Sequence, residues 1–357
     1  MDQVLFAVGI VVALFTAASI LFTMVLPRSP RGLERLSVLV NRIVRVSFLA
    51  ATRFVTSYET KDAFLAPVGP VALVVQLLFW AGSLILGFGL ILERTTHNFG
   101  NAFLQATGAM FTVGSVHLGG PENAAVDIVA GASWAVVVAL QIAYLPALYG
   151  AFNKRESLVA MLESRAGVPA WGPEVLARHQ IVGIIDALPQ FYADWELWAA
   201  DLAESHTTYP VLLLFRSPEP WFSWLVGLIA VLDGAAMHLA LAPSTASSQA
   251  RLCLRMGLTA LNRIGRTLGW KIDPDPNPEG PIDLTYEEFA GAVEMLKETG
   301  FPLERTAEEA WPDFRGWRVN YDTALLALAA LTTAPEAPWS GDRPAMPLGS
   351  RRKRPWG

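Results

Sequence analysis

The sequence predicts an all-helical membrane protein, and three observations lead to that fold class. Of 357 residues, 53% are hydrophobic and only 17% are charged, whereas about a quarter of a soluble domain is charged. Uncharged apolar runs long enough to cross a bilayer as helices occupy 4–26, 68–92 and 128–149. The remainder shows no convincing period-2 alternation, so we expect helices there as well.

The first run predicts an N-terminal transmembrane helix within residues 1–27. The chain begins Met1-Asp2 and lacks the basic start of a cleaved signal peptide, so we expect this helix to be retained. Because basic residues near span ends stay cytoplasmic, three spans predict an external N-terminus and a cytoplasmic C-terminal part. The flanking basic residues are Arg28, Arg31, Arg35, Arg42 and Arg45 after the first span, and Lys154 and Arg155 after the third.

Residues 28–66 contain a stretch, "LERLSVLVNRIVRVSFLAATRF", that predicts an amphipathic helix on the cytoplasmic side. At 100° per residue its basic side chains share one side and apolar side chains cover the other. Such a helix lies in the headgroup plane, with its arginines on anionic lipid. A voltage sensor is disfavoured because the arginines do not repeat at every third position. The candidate lipid-facing residues are Arg35, Arg42, Arg45 and Arg53.

Between the second and third runs, "FGNAFLQATGAMF" reads as an apolar helix that is too short to cross a bilayer, followed by "TVGSVHLGG". A short apolar helix and glycine-containing backbone between two spans are typical of a re-entrant loop. Irregular backbone at membrane depth persists only where it is buried in protein or lines a water-filled path.

Thr112-Val113-Gly114, after this short helix, resembles the filter of the potassium-channel pore family, whose pattern is T-V-G-Y-G-D. The segments "YLPALYGAFNKRE" and "DFRGWRVNYDTALLALAAL" are similar to bacterial pore-loop channels with an all-helical cytosolic domain. The resemblance implies a homotetramer in a bacterial inner membrane, with no cofactor and with permeating K⁺ or Na⁺ bound by Thr112 and Val113. No nucleic-acid partner is expected.

The same resemblance implies a domain plan. A pore module at 67–153 would comprise an outer helix at 68–92, a pore helix at 100–111, a filter at 112–117 and an inner helix at 128–149. An all-helical cytosolic domain would follow at 154–333. The Pro-rich, basic end of the chain at 334–357 predicts a disordered tail that is either solvated or in contact with lipid.

The filter departs from the family pattern in its second half. Ser115 stands where the family has tyrosine, Val116 replaces the second glycine, and His117 replaces the aspartate. A β-branched residue at positive φ is strained, so the outer half of the usual filter should not form. We expect weakened K⁺ preference or low conductance. The alternative is a non-conducting scaffold or sensor that retains the pore fold and acts through its cytosolic domain.

Three further residues have two readings each. His117 either forms a titratable ring at the pore mouth or holds the loop by a local hydrogen bond. Gly131 and Pro146 are candidates for a gate or hinge in the inner helix, because proline removes a backbone hydrogen bond. Such a proline also commonly marks where a helix leaves the membrane.

The run 223–242 is long enough for a fourth span, but Asp233 and His238 lie within it and charges at membrane depth are costly. We therefore predict a buried helix of the cytosolic domain. The sequence T-x-x-E predicts helix starts at Thr285 and Thr306. The stretch "DPDPNPEGPIDL" begins like a calcium loop but lacks its glycine and its glutamate. No metal or nucleophile motif appears, which disfavours an enzyme.

Overall fold

The computed structural model describes residues 2–25, 35–112 and 120–340. These residues are almost entirely helical, and their only β-bridge joins Ala337 and Ser340. The helices are α1 (Asp2–Met24), α2 (Arg35–Ala51), α3 (Tyr58–Leu65), α4 (Val68–Thr96), α5 (Phe99–Phe111), α6 (Pro121–Ala166), α7 (Gly172–Val182), α8 (Leu188–Thr208), α9 (Trp224–Leu241), α10 (Ser248–Thr267), α11 (Tyr286–Glu298) and α12 (Ala307–Thr332), with 3₁₀ turns at Ile185–Ala187 and Pro210–Leu214.

Four helical stretches in the described part of the chain are long and apolar enough to cross a membrane. They are Asp2–Met24, Tyr58–Thr96, Pro121–Ala166 and Trp224–Leu241. The second and third contain the predicted spans at 68–92 and 128–149, and the first covers residues 4–24 of the span predicted at 4–26. Less than half of the most apolar part of each of these three is buried within the chain, whereas every residue of the fourth is buried. The fourth therefore presents no surface to lipid and forms a core helix.

The chain divides into two compact units. The first unit comprises residues 1–54 and 67–150, and the second comprises residues 55–66 and 151–357. Helix α6 contributes to both, because it is one continuous helix of 46 residues. The sequence predicted an inner helix only at 128–149. Lys154 and Arg155 end the apolar run, but they do not end the helix. Lysine and arginine are good helix formers, and the Trp198 indole N–H holds this part of the helix by donating to the Arg155 carbonyl at 3.0 Å.

Within the first unit, α1 crosses α4 where two glycines meet. A Cβ atom built on Gly9 would lie 2.7 Å from the carbonyl oxygen of Gly87, and one built on Gly87 would lie 3.0 Å from the backbone nitrogen of Ala13. Nearby, the Trp80 indole N–H donates to Ser19 Oγ at 3.3 Å. Small residues that let two backbones approach, with an interhelical hydrogen bond, are typical of packing between membrane helices.

The region 28–66 differs from the single interfacial helix that was predicted. Helix α2 ends at Ala51 and packs on α4, with Val40 and Val44 buried. Arg53 therefore lies in the turn after the helix, with its guanidinium 4.4 Å from the Phe54 ring centre. A separate helix, α3, belongs to the second unit.

Helix α3 is attached to the second unit by Arg216. The Arg216 guanidinium forms an ion pair with Asp62 and donates to the Tyr58 hydroxyl at 2.8 Å. It also donates to the carbonyl oxygens of Thr332 at 2.7 Å and Thr333 at 3.0 Å. The Arg216 side chain thus links α3 to the C-terminal end of α12. The carbonyl oxygens at that end have no hydrogen-bond partner within their own helix.

The core of the second unit is built around α9, which contacts α7, α8, α10 and α12. The two predicted capping boxes are present at Thr285 with Glu288 and at Thr306 with Glu309. Residues 334–340 differ from the predicted disordered tail. Trp339 is 3% exposed, and its carbonyl oxygen accepts a hydrogen bond of 2.8 Å from Arg318, so buried partners hold this segment.

Candidate functional site

The short helix α5 lies against α4 and α6. The side chain of Asn98 caps it by accepting from the Asn101 backbone N–H at 3.0 Å. Its residues Ala102, Ala106 and Met110 are buried in the core of the first unit. With 13 residues, α5 is about 20 Å long, which is too short to cross a hydrocarbon layer of about 30 Å.

Three contacts show that α5 and the first turns of α6 run side by side in the same direction. The Gln105 amide donates to Asp127 Oδ2 at 2.9 Å. Further along, a Cβ built on Gly131 would lie 3.0 Å from the Ala109 carbonyl oxygen. At the end of α5, the rings of Phe111 and Trp134 pack edge to face, with centres 5.2 Å apart.

This arrangement separates the two residues that border the segment after α5. Gly120 lies at the start of α6, where its carbonyl accepts from the Asn123 N–H at 3.0 Å. Thr112 follows Phe111, which contacts Trp134, thirteen positions into α6. Thr112 and Gly120 are therefore at opposite ends of a stretch of α6 that is about 20 Å long.

Of the predicted filter residues, only Thr112 lies within the described part of the chain. It has left-handed backbone with φ 56°, is exposed, and its hydroxyl donates to the Phe111 carbonyl at 2.7 Å. Val113, Gly114, Ser115, Val116 and His117 lie outside the described residues. The expectations about their conformation stay predictions.

A polar layer, which the sequence analysis missed, links the three helices. Thr95 Oγ1 of α4 donates to Asn123 Oδ1 of α6 at 2.7 Å, and the pair of Gln105 and Asp127 joins α5 to α6. Both Gln105 and Asp127 are buried. A buried polar pair next to an apolar run is a functional candidate, and Gln105 on the short helix α5, with Asp127 immediately before the run 128–149, was the available signal.

The two hinge candidates occupy different environments. Gly131 sits in the close contact with Ala109, so a packing requirement accounts for the absence of a side chain at this position. Pro146 lies exposed inside α6, which continues through it without a break. Bending at either residue stays a prediction.

One face of α6 carries small residues and is exposed within the single chain. The opposite face is buried through Ala130, Val137, Tyr144 and Leu148. We call the exposed face the α6 small-residue face; it consists of Ala132, Ala135, Ala139, Ala143, Ala147 and Gly150.

Of the four basic residues predicted to face lipid, three belong to α2 and one lies beyond its end. Arg42 is exposed on α2, and Arg45 is half-buried there. Arg53 follows the end of the helix. The backbone of Arg35 begins α2, and its side chain lies outside the described residues.

Comparison with protein-family models, with curated proteins and with solved structures finds no match to this chain.

Proposed function

We propose that the chain is one subunit of a homotetrameric pore-loop cation channel with weakened K⁺ selectivity or low conductance. The observation that supports this most is the position of α5. It is too short to cross the bilayer, it runs beside α6 in the same direction, and it ends at Thr112 level with Trp134. This is the position that a re-entrant helix requires.

The electrostatics of α5 suit a cation. The carbonyl end of a helix carries partial negative charge, and in α5 this end lies beside Gly131 and Trp134, well inside α6. On this proposal, the Thr112 hydroxyl and the carbonyls of Thr112 and Val113 replace water around a monovalent ion. Ser115, Val116 and His117 then leave the outer half of the filter incomplete.

One subunit cannot enclose an axial passage, so the proposal needs several copies around a symmetry axis. The α6 small-residue face is exposed in the single chain. In the oligomer it would either contact neighbouring subunits or line the water-filled passage. The second unit would lie in the bacterial cytoplasm and the N-terminus outside. Arg42, Arg45 and Arg53 would lie near anionic lipid headgroups.

Flux through lipid vesicles tests the proposal. Purified full-length protein is reconstituted with K⁺ and Na⁺ on opposite sides, and the expected result is a cation current that reverses between the equilibrium potentials of the two ions. A reversal at the K⁺ equilibrium potential contradicts weakened selectivity. Absence of current from a correctly folded oligomer contradicts the channel.

Gly131 of α6 and Gly82 of α4 provide a pair of variants for the flux measurement. Gly131→Val pushes a side chain into the Ala109 carbonyl and should displace α5 and reduce the current. A side chain at Gly82 meets nothing within 4 Å and lies outside the α6 small-residue face, so Gly82→Val should leave the current unchanged. Equal currents from the two variants would contradict a role for the position of α5.

The second candidate is a non-conducting scaffold or sensor with the same membrane architecture. It is favoured by the departures at Ser115, Val116 and His117 from the family filter. A folded tetramer that carries no flux, with K⁺ or with Na⁺, would support this candidate.

A further inference from the structure

The second unit contains a cavity of about 110 Å³ between α6, α7 and α8, which the proposed function does not use. Its lining includes the aromatic rings of Phe191 and Trp195, which are 7% and 2% exposed. Met161 and Ile184 also line it and are exposed to solvent. The cavity is therefore open to solvent, and its buried part contains two aromatic rings.

Two charged side chains of opposite sign also line the cavity. Arg165 makes no ion pair within the described part of the chain, and its guanidinium lies 6.0 Å from the Phe191 ring centre. The Asp194 carboxylate already accepts a hydrogen bond of 2.8 Å from the Gln190 amide. Arg165 is thus the cation available to a ligand, while Asp194 disfavours a ligand that carries two negative charges.

His179 gives the cavity an acceptor. It is 2% exposed, and its Nδ1 lies 2.7 Å from the Val175 carbonyl oxygen, which requires the proton on Nδ1. Burial lowers the pKa of His179, and the charge of Arg165 lowers it further although the Val175 carbonyl opposes the shift. The ring is therefore neutral near pH 7. Its Nε2 has no partner among the described residues and accepts hydrogen bonds only.

The size of the cavity limits the ligand. A single water molecule needs about 10–15 Å³ of cavity volume. A cavity of 110 Å³ therefore holds a ligand of about eight to ten non-hydrogen atoms. An arginine pairs well with a carboxylate, and flat apolar groups pack on Phe and Trp rings.

We propose that this cavity binds a small aromatic monocarboxylic acid. The carboxylate lies on Arg165, the ring lies against Phe191 and Trp195, and a ligand hydroxyl donates to His179 Nε2. The proposal is independent of ion conduction, because it rests on residues of the second unit only.

Isothermal titration of full-length protein in detergent with benzoate tests the site. We expect saturable binding with a Kd below about 1 mM, and at least tenfold weaker binding of the neutral analogue benzamide. Arg165→Gln should weaken benzoate binding at least tenfold, because the charged hydrogen bonds are lost.

Arg178→Gln is the matched control. Arg178 lies on α7 and pairs with Glu174 at 2.9 Å, so its replacement should leave the benzoate Kd unchanged. Ala187→Phe should abolish binding, because Ala187 lines the cavity and is exposed at its rim. The proposal is overturned if the wild type shows no saturable binding, or if Arg165→Gln binds benzoate as tightly as the wild type.

Hydroxylated probes test the assignment of His179. The tighter of 3-hydroxybenzoate and 4-hydroxybenzoate should bind better than benzoate to the wild type, and His179→Phe should remove this advantage while it keeps benzoate binding. If neither hydroxyl improves binding to the wild type, the role of His179 is overturned.

Discussion

Individual buried charges hold the second unit together. Arg318 is fully buried and donates to both carboxylate oxygens of Asp233, at 2.7 and 2.6 Å, and to Asp322 at 2.9 Å. The Tyr321 hydroxyl donates to Asp233 at 2.7 Å. Burial opposes the charge of Arg318, but Asp233 and its neighbours outweigh burial and raise the pKa of Arg318. The buried guanidinium is therefore charged in the folded chain at neutral pH.

Removing one charge of this pair should be far more harmful than removing both. We expect Asp233→Asn to destabilise the second unit by about 3–5 kcal/mol, because it removes the carboxylate that pairs with Arg318 through two hydrogen bonds and leaves Asp322 to balance the buried guanidinium. The double variant Asp233→Asn with Arg318→Met should recover part of that loss. Thermal unfolding of the full chain, followed by circular dichroism, measures both.

An exposed pair serves as the control for this prediction. Lys297 and Glu294 form a surface ion pair at 3.3 Å with side chains more than half exposed, and Lys297→Ala should cost less than about 1 kcal/mol. A double variant that is less stable than Asp233→Asn alone would contradict the argument.

His206 should make the second unit sensitive to acid. Its Nδ1 lies 3.1 Å from the Leu202 carbonyl, and its Nε2 accepts from Arg155 Nη1 at 3.2 Å. Burial, and then the charge of Arg155, hold the pKa of His206 well below its usual 6.5. The unfolded chain therefore binds a proton below pH 6.5 that the folded chain does not bind, so stability is full above pH 6.5 and falls as the pH drops.

We expect the free energy of unfolding to fall below pH 6.5 by up to about 1.4 kcal/mol per pH unit from His206. His206→Gln keeps an acceptor for Arg155 but does not titrate, so its thermal midpoint should fall less between pH 7.5 and pH 5. His179 remains in this variant, so part of the dependence persists. Parallel pH profiles for wild type and variant would contradict the prediction.

The sequence shows that burying the Asp233 carboxylate costs free energy, but it does not reveal which residue compensates the charge. Together with His238, this acid in an apolar run predicted a buried helix of the cytosolic domain instead of a fourth span. Arg318 is 85 positions further along, and no local pattern joins two residues at that separation. The same limit applies to Arg216 and Asp62, which the fold brings together over 154 positions.

Helix packing depends on where glycines replace side chains. Helix α4 contains a matched pair: Gly87 is buried against α1, while a Cβ on Gly82 would meet nothing within 4 Å. The two positions differ in their contact with α1 and share the same helix.

Gly87→Leu should destabilise the first unit by about 1–3 kcal/mol, because the added side chain meets the backbone of Ala13 and Gly9. Gly82→Leu should be neutral or slightly stabilising, because glycine is a poor helix former. Unfolding in mixed micelles of increasing denaturing detergent measures the difference. Equal midpoints for the two variants would show that α1 does not cross α4 at Gly87.

Periodicity and capping residues predicted which helices exist more reliably than they predicted where those helices end. Apolar length predicted α1 and the helices that contain 68–92 and 128–149, and the two capping boxes predicted the starts of α11 and α12. The extension of α6 to Ala166 and the order at Trp339 depend on tertiary contacts with Trp198 and Arg318. The composition of the chain does not reveal contacts between residues that are far apart in the sequence.

At the scale of the whole molecule, the described parts of the first unit leave much apolar surface uncovered. On α4, Val74 and Leu78 are 56% and 64% exposed, and on α6, Ile128 and Ile142 are 72% and 67% exposed. Bilayer lipid and further copies of the chain can both cover such surface. The α6 small-residue face differs from the rest because alanines permit close approach or line a passage.

Chemical labelling should separate these surfaces. In a Cys253→Ser background, the buried native thiol is absent, and a new cysteine replaces either Ala139 of the α6 small-residue face or Leu78 of α4. If copies of α6 surround a water-filled passage, a charged, water-soluble thiol reagent added to reconstituted vesicles should modify Ala139→Cys. Leu78→Cys should stay unmodified, because a thiolate does not form in hydrocarbon and the nucleophile is the thiolate. Prior opening of the vesicles with denaturing detergent should make both cysteines react equally, which controls for intrinsic reactivity. Protection of Ala139→Cys equal to that of Leu78→Cys in intact membranes would mean that lipid or protein covers this face, and the proposed passage would not run along α6.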